Sequence, residues 1–153
     1  MTLAAHDTQT LGPLTGGCQC GGVRYSVASG PASALVCGCR MCQRATGGVF
    51  AAFVEVEAAS VRWTGTPAIF ASSSHAERGF CATCGTPLFY RRPGRASVEL
   101  TMGAIDGGAP AAPVSRYHPE AMPDWLHGLG DVPVKENYFD GAQMASRQTT
   151  KGR

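Results

Sequence analysis

The sequence predicts a mainly β chain with one or two short helices, and three observations carry that reading. Apolar residues recur at every second position in short runs, glycine and proline interrupt the chain often, and the cysteines fall in close groups suited to stapling sheets together. Residues 1–13 are polar and are expected to be disordered. The same is expected of residues 141–153, where Gln143, Ser146, Arg147, Gln148, Thr149, Thr150 and Lys151 offer too little apolar surface to offset the entropy of ordering. The folded unit is therefore expected over residues 14–140. Its first clear strand is Val23, Tyr25 and Val27 alternating with Arg24 and Ser26, the period of a half-buried strand. Similar runs follow at 50–56, 61–63, 68–71, 87–90 and 98–102. Breaks at Gly30-Pro31, Gly65-Thr66-Pro67, Pro93-Gly94 and Gly107-Gly108 leave little room for helix, and one short helix is expected over 40–45. Residues 103–113 form an Ala/Gly/Pro-rich connector.

A chain of 153 residues, 44% of them hydrophobic, suits one domain with an adequate core. The formal net charge of +2, with no dense Lys/Arg run, argues against a broad electrostatic footprint for nucleic acid or an anionic membrane surface. Small or neutral partners are expected instead. No segment approaches the roughly 18 continuous apolar residues of a membrane span. The N-terminal residues also lack the basic-then-apolar order of a signal peptide. A cytoplasmic location is the expectation, and in that reducing compartment paired cysteines bind metal more often than they form disulfides.

The seven cysteines fall as Cys18 and Cys20, then Cys37, Cys39 and Cys42, then Cys81 and Cys84. Zinc is the expected metal, because it accepts tetrahedral thiolate sets, needs no redox partner and is commonly held by closely spaced cysteines. Neighbours one residue apart in an extended strand point to opposite faces, so a Cys-x-Cys pair chelates only where the chain turns. Gly21, Gly22 and Gly38 make such turns inexpensive. Cys81-Ala82-Thr83-Cys84-Gly85 reads as a knuckle in which Gly85 takes a left-handed conformation. Its expected partner is the Cys18/Cys20 pair, giving a closed four-thiolate site that ties the N-terminal strand to a distant hairpin. Cys37, Cys39 and Cys42 remain, and three ligands leave one position for water or substrate. With a divalent ion this trio carries a charge of about −1, which favours soft sulfur chemistry over hydroxide chemistry. Two alternatives stay open at this point: closure of the trio by His75, His118 or His127, and an ordinary set of reduced thiols.

Three segments together resemble a known family. They are Gly16-Gly17-Cys18-Gln19-Cys20-Gly21-Gly22-Val23-Arg24-Tyr25, then Cys37-Gly38-Cys39-Arg40-Met41-Cys42-Gln43-Arg44-Ala45-Thr46-Gly47-Gly48, then Arg78-Gly79-Phe80-Cys81-Ala82-Thr83-Cys84-Gly85-Thr86-Pro87-Leu88. In this order they are similar to the signatures of the glutathione-dependent formaldehyde-activating enzyme family, with a weaker likeness at Met122-Pro123-Asp124-Trp125-Leu126. The resemblance implies a β-tent fold of small antiparallel sheets stapled by zinc. It also implies two Zn2+ sites: a structural one on Cys18, Cys20, Cys81 and Cys84, and a catalytic one on Cys37, Cys39 and Cys42. The implied activity is that of a carbon–sulfur lyase, an S-(hydroxymethyl)glutathione synthase in which a thiol adds reversibly to formaldehyde.

Glutathione carries two carboxylates, so a cationic clamp is expected from among Arg24, Arg40, Arg44, Arg91 and Arg92. Glu55, Glu57, Glu77 and Glu99 read mainly as the wet face of strands, while Phe50 and Trp125 read as core or pocket lining. Two other classes of function are weighed against the enzyme. The resemblance also implies, as an alternative, a zinc-stabilised binding or chaperone-like module, the role of related domains of that fold. Cys39-x-x-Cys42 is compatible with redox work, although it lacks a thioredoxin-like setting. Whether the chain forms a homodimer is left open by the sequence.

Overall fold

The computed structural model describes residues 8–135 and 146–149. Among these are eleven strands: β1 (Gln9–Leu11), β2 (Leu14–Gly17), β3 (Arg24–Val27), β4 (Gly30–Cys37), β5 (Ala51–Glu57), β6 (Val61–Thr64), β7 (Ala68–Ser73), β8 (Ala76–Phe80), β9 (Pro87–Arg91), β10 (Ser97–Thr101) and β11 (Ser115–Tyr117). One α-helix, α1 (Arg40–Thr46), and four short 3₁₀ turns complete the described elements. The mainly β, antiparallel expectation is thus met, and the helix expected over 40–45 is α1. Gly47 closes it in a left-handed conformation, its amide donating to the Gln43 carbonyl at 2.8 Å.

The larger sheet runs β1-β4-β5-β10-β9-β8-β7, and the smaller runs β2-β3-β6. β4 has β5 along one edge, whereas the other edge is shared by β1 at Gly30–Ala32 and β11 at Leu35–Cys37. The β11 contact is parallel, the exception in an otherwise antiparallel molecule. It arises because the connector over 103–113 returns the chain along β4 instead of folding back in a hairpin.

Strand periodicity decides what each face of the large sheet meets. Ala32 and Ala34 on β4 oppose Val56 and Val54 on β5, which in turn oppose Val98 and Leu100 on β10. These side chains share one cluster with Val23, Tyr25, Val27 and Val61 of the small sheet. Trp63 packs beside Tyr25 at 5.1 Å and Phe89 at 5.4 Å between ring centroids, which knits the two sheets together. Leu100 and Val54 are completely buried there, so truncating Leu100 to Ala would cost about 2–5 kcal/mol. The alternate residues emerge on the opposite face. Leu35, Phe53, Glu55, Glu99 and Tyr90 lie there, and together they wall a cavity.

Some sequence expectations are corrected. Residues 9–11, expected to be disordered, form β1, because pairing with Gly30–Ala32 satisfies their backbone groups. In the expected tail, the Thr149 amide donates to the Gln19 carbonyl at 2.7 Å. The rest of the two terminal segments, residues 1–7, 136–145 and 150–153, lies outside the described residues. Trp125, read as core or pocket lining, is 57% exposed on the 3₁₀ turn Asp124–Asp131. No helix among the described residues is long and apolar enough to cross a membrane.

Candidate metal centres and the cavity beside them

Two groups of metal-ligating side chains stand out among the described residues. In each of them every sulfur lies within 4.8 Å of the others. The first joins Cys18, Cys20, Cys81 and Cys84. Two loops of similar build supply it. In one, the Cys18 amide donates to the Val23 carbonyl at 2.9 Å and the Gly21 amide to the Cys18 carbonyl at 3.0 Å. In the other, the Cys81 amide donates to the Thr86 carbonyl at 3.0 Å and the Gly85 amide to the Cys81 carbonyl at 2.8 Å. Gly21 and Gly85 have φ of 79° and 76°, a region side chains disfavour, and this lets each loop turn back so that both its sulfurs converge.

The sulfur separations suit an ion. Cys18 and Cys20 are 3.5 Å apart and Cys20 and Cys81 3.7 Å, while a tetrahedral ion with bonds of about 2.3 Å to sulfur would hold its ligands about 3.8 Å apart. Donors already point at the sulfurs: the Val23 amide at 3.2 Å from Cys18, and the Thr86 hydroxyl at 3.2 Å from Cys84. Two of the four are shifted in opposite directions. Burial opposes the Cys84 thiolate, but the Thr86 hydroxyl and amide outweigh it and draw its pKa down to about 6. Cys20 is pushed up to about 12, because the thiols of Cys18 and Cys84 outweigh the Gly22 amide. Such a set is poised to release protons to an incoming cation.

The second group is Cys37, Cys39 and Cys42. Cys37 ends β4, Cys39 is the N-cap of α1, and Cys42 lies in its first turn, so one strand-to-helix junction carries all three. Gly38 allows that junction, since a Cβ there would come within 2.5 Å of Met122 and 2.6 Å of the His118 carbonyl. Gln43, buried behind the trio, donates from Nε2 to the Gly38 carbonyl at 2.7 Å and to the Ala121 carbonyl at 2.8 Å. It clips the helix to the 3₁₀ turn over 119–121 and so fixes where the sulfurs point. Burial pushes the Cys37 thiol up to about 12, with the Cys42 thiol adding to it against the Cys39 amide. For Cys39 burial is outweighed by the amide of Cys42 and the neighbouring thiols, and its pKa falls.

The trio differs from the quartet in its surroundings. It opens on a cavity of about 480 Å³, also lined by Phe53, Glu55, Arg78, Tyr90, Arg92 and Glu99. No histidine or carboxylate joins the trio's sulfurs at ligand distance among the described residues. None of His75, His118 and His127, the residues weighed for closing the trio, stands at that distance. His118 does line the cavity, with its Nδ1 3.1 Å from Glu120, and His75 bonds the Ser74 hydroxyl instead.

Of the five arginines considered as clamps, Arg92 lines the cavity. Arg24 pairs with Asp106 on the small sheet, and Arg91 pairs with Glu77 at 2.8 Å. Arg40 bonds Gln43, and Arg44 is exposed on α1. Two residues escaped the reading of the sequence. Arg78, the first residue of the third family-like segment, reaches Cys42, and its signal was its place in that segment. Glu99, read as wet face, lines the cavity directly across from Glu55 in strand register. Burial, reinforced by the Glu55 charge, lifts its pKa to about 7.

The fold and site define a mainly β protein with a four-cysteine and a three-cysteine group, each able to hold a metal ion. The family model described as glutathione-dependent formaldehyde-activating enzyme matches residues 13–121, and the chain belongs to that family. A crystal structure of a Rhodobacter sphaeroides protein is similar with a TM-score of 0.52 at 21% identity, covering 67% of this chain and 98% of that one, which supports the fold. No curated protein matches the chain.

Proposed function

We propose that the chain is a zinc-dependent carbon–sulfur lyase-like enzyme that adds a thiol, glutathione or a similar one, reversibly to formaldehyde or a related small aldehyde. The observation that carries this is the unequal completeness of the two clusters. Four sulfurs close one of them, whereas the other offers three sulfurs and faces a cavity. In this reading Cys18, Cys20, Cys81 and Cys84 hold a structural zinc, and Cys37, Cys39 and Cys42 hold a catalytic one. The catalytic ion, when bound, supplies a Lewis-acidic position that keeps an incoming thiol in its thiolate form at neutral pH.

The chain's own residues do the rest. Cys37, Cys39 and Cys42, fixed by the junction and by Gln43, hold the open position toward the cavity. In the addition, the thiolate sulfur forms a bond to the aldehyde carbon, the carbonyl π pair moves to oxygen, and a proton is taken up there. Glu99, with its pKa near 7, is the cavity carboxyl able to store and return that proton. Arg92 stands at the same cavity as a partner for a substrate carboxylate. Phe53 and Leu35 provide an apolar wall that limits water around the reacting atoms.

The test is formaldehyde-dependent consumption of glutathione by the purified zinc-loaded protein. Turnover above the rate in buffer, lost in a Cys39→Ser variant that keeps its fold, supports the reading. A rate equal to buffer, unchanged by the variant, removes enzyme status for this substrate pair and favours the zinc-stabilised binding module.

A further inference from the structure

Arg78 is held more firmly than a surface arginine. It sits on β8 between β7 and β9, and each neighbour fixes it. Its Nε donates to the Ser72 hydroxyl of β7 at 3.3 Å, and its guanidinium carbon stands 5.1 Å from the centre of the Tyr90 ring of β9. Held this way, the guanidinium donates from Nη2 to the Cys42 sulfur at 3.3 Å. Planar geometry, several donors and an affinity for aromatic faces let arginine satisfy all three contacts at once, which lysine cannot do. The same side chain lines the cavity on which the trio opens.

Charge gives this placement a consequence. Three thiolates around a divalent ion sum to about −1, and an anionic thiolate in the fourth position brings the total to about −2 in a partly buried site. A fixed guanidinium returns the loaded state to about −1, and its cost is met before the substrate arrives. We propose that Arg78 is a positioning residue for the three-cysteine centre, offsetting the charge of the metal–thiolate set through Cys42 so that a substrate thiolate can enter the open position. This rests on the reading of the trio as an open metal centre.

The experiment uses the full chain loaded with two equivalents of Co2+ and titrated with 2-mercaptoethanol, following the sulfur-to-cobalt charge-transfer absorption. Wild-type protein is expected to show a saturable rise. Arg78→Gln, which keeps donors near Cys42 but removes the charge, is expected to bind the thiol about 10- to 100-fold more weakly and to require a higher pH for half-saturation. Arg78→Lys should fall between the two. If Arg78→Gln loses its second cobalt while Arg78→Lys keeps it, the charge role stands. Loss in both would overturn it, because shape would then be the requirement. Equal thiol affinity and pH dependence in wild type and Arg78→Gln overturns the proposal alone. Absence of thiol binding by the wild type overturns the open-site reading and the proposal with it.

Discussion

The four-cysteine and three-cysteine groups use the same side chain under different topological conditions. The quartet joins two loops that are 63 residues apart, counted from Cys18 to Cys81, so an ion there crosslinks the small sheet's β2–β3 connection to the hairpin of β8 and β9. The trio lies within six consecutive residues, 37–42, so an ion there closes only a local loop. Closing a long loop restricts the unfolded chain far more than closing a short one. On the proposed reading, metal binding would be coupled to the whole fold in the first case and mainly to the cavity in the second. Burial does not follow the same division, since each group mixes buried and more accessible sulfurs, with Cys18 and Cys81 buried in one and Cys42 in the other; what sets the trio apart is the cavity it lines.

The comparison is broken most readily by its largest predicted difference. Cys18→Ser is expected to cost more than about 4 kcal/mol and to abolish cooperative melting at ordinary temperature, whereas Cys42→Ser should cost under about 2 kcal/mol. Calorimetry of both variants checks this, and equal destabilisation would remove the division of labour. Next in size is Gln43→Ala, which leaves the Gly38 and Ala121 carbonyls without their amide partner. It should cost about 1–3 kcal/mol and weaken metal retention at the trio about 10- to 100-fold, leaving the quartet unchanged, as read by competition with a chelator.

Asp106 offers a test remote from both centres. It accepts the Thr15 hydroxyl at 2.6 Å as well as Arg24, and these partners outweigh burial and hold its carboxyl below the usual range. With a depressed folded pKa, the unfolded state binds more protons, so this contribution is complete above the ordinary aspartate value and is lost as pH falls through the folded one. Asp106→Asn should thus cost about 1–2 kcal/mol at pH 7 and less in acid, with thiol binding unaffected. Glu99 has the opposite sign. Its folded pKa of about 7 lies above the ordinary value of 4.5, so the folded state binds more protons and stability declines as pH rises between them. Glu99→Gln should raise stability by about 1–2 kcal/mol at pH 8 and have little effect at pH 4, in chemical denaturation at the two pH values.

Joining Cys18 and Cys20 to Cys81 and Cys84 rested on counting ligands and on the family resemblance. The convergence of sulfurs within each cysteine motif, by contrast, was legible in the sequence, because a short spacing with an adjacent glycine is local chemistry. Strands with clean alternation, such as β3 and β10, were legible for the same reason. β8 was not expected, since Ala76-Glu77-Arg78-Gly79-Phe80 has no apolar period and is held by strands on both sides. β4 was not expected either, because Gly30-Pro31 reads as a break yet begins an eight-residue strand. The cavity's chemistry was hidden too. Whether Glu55, Glu99 or Arg78 meets solvent or a metal centre depends on which face of the large sheet the small sheet covers, and that is a tertiary choice. Trp125 shows the same dependence in reverse, an aromatic that the fold leaves outside.

X-ray absorption at the zinc edge, recorded on protein with both centres filled before and after addition of a thiol, tests the inequality between the centres most directly. Seven cysteine sulfurs over two ions predict an average of about 3.5 sulfurs per zinc, rising to about 4 when the thiol binds. A sulfur number that stays constant on adding thiol, with nitrogen from a side chain completing the trio's ion, would contradict the account.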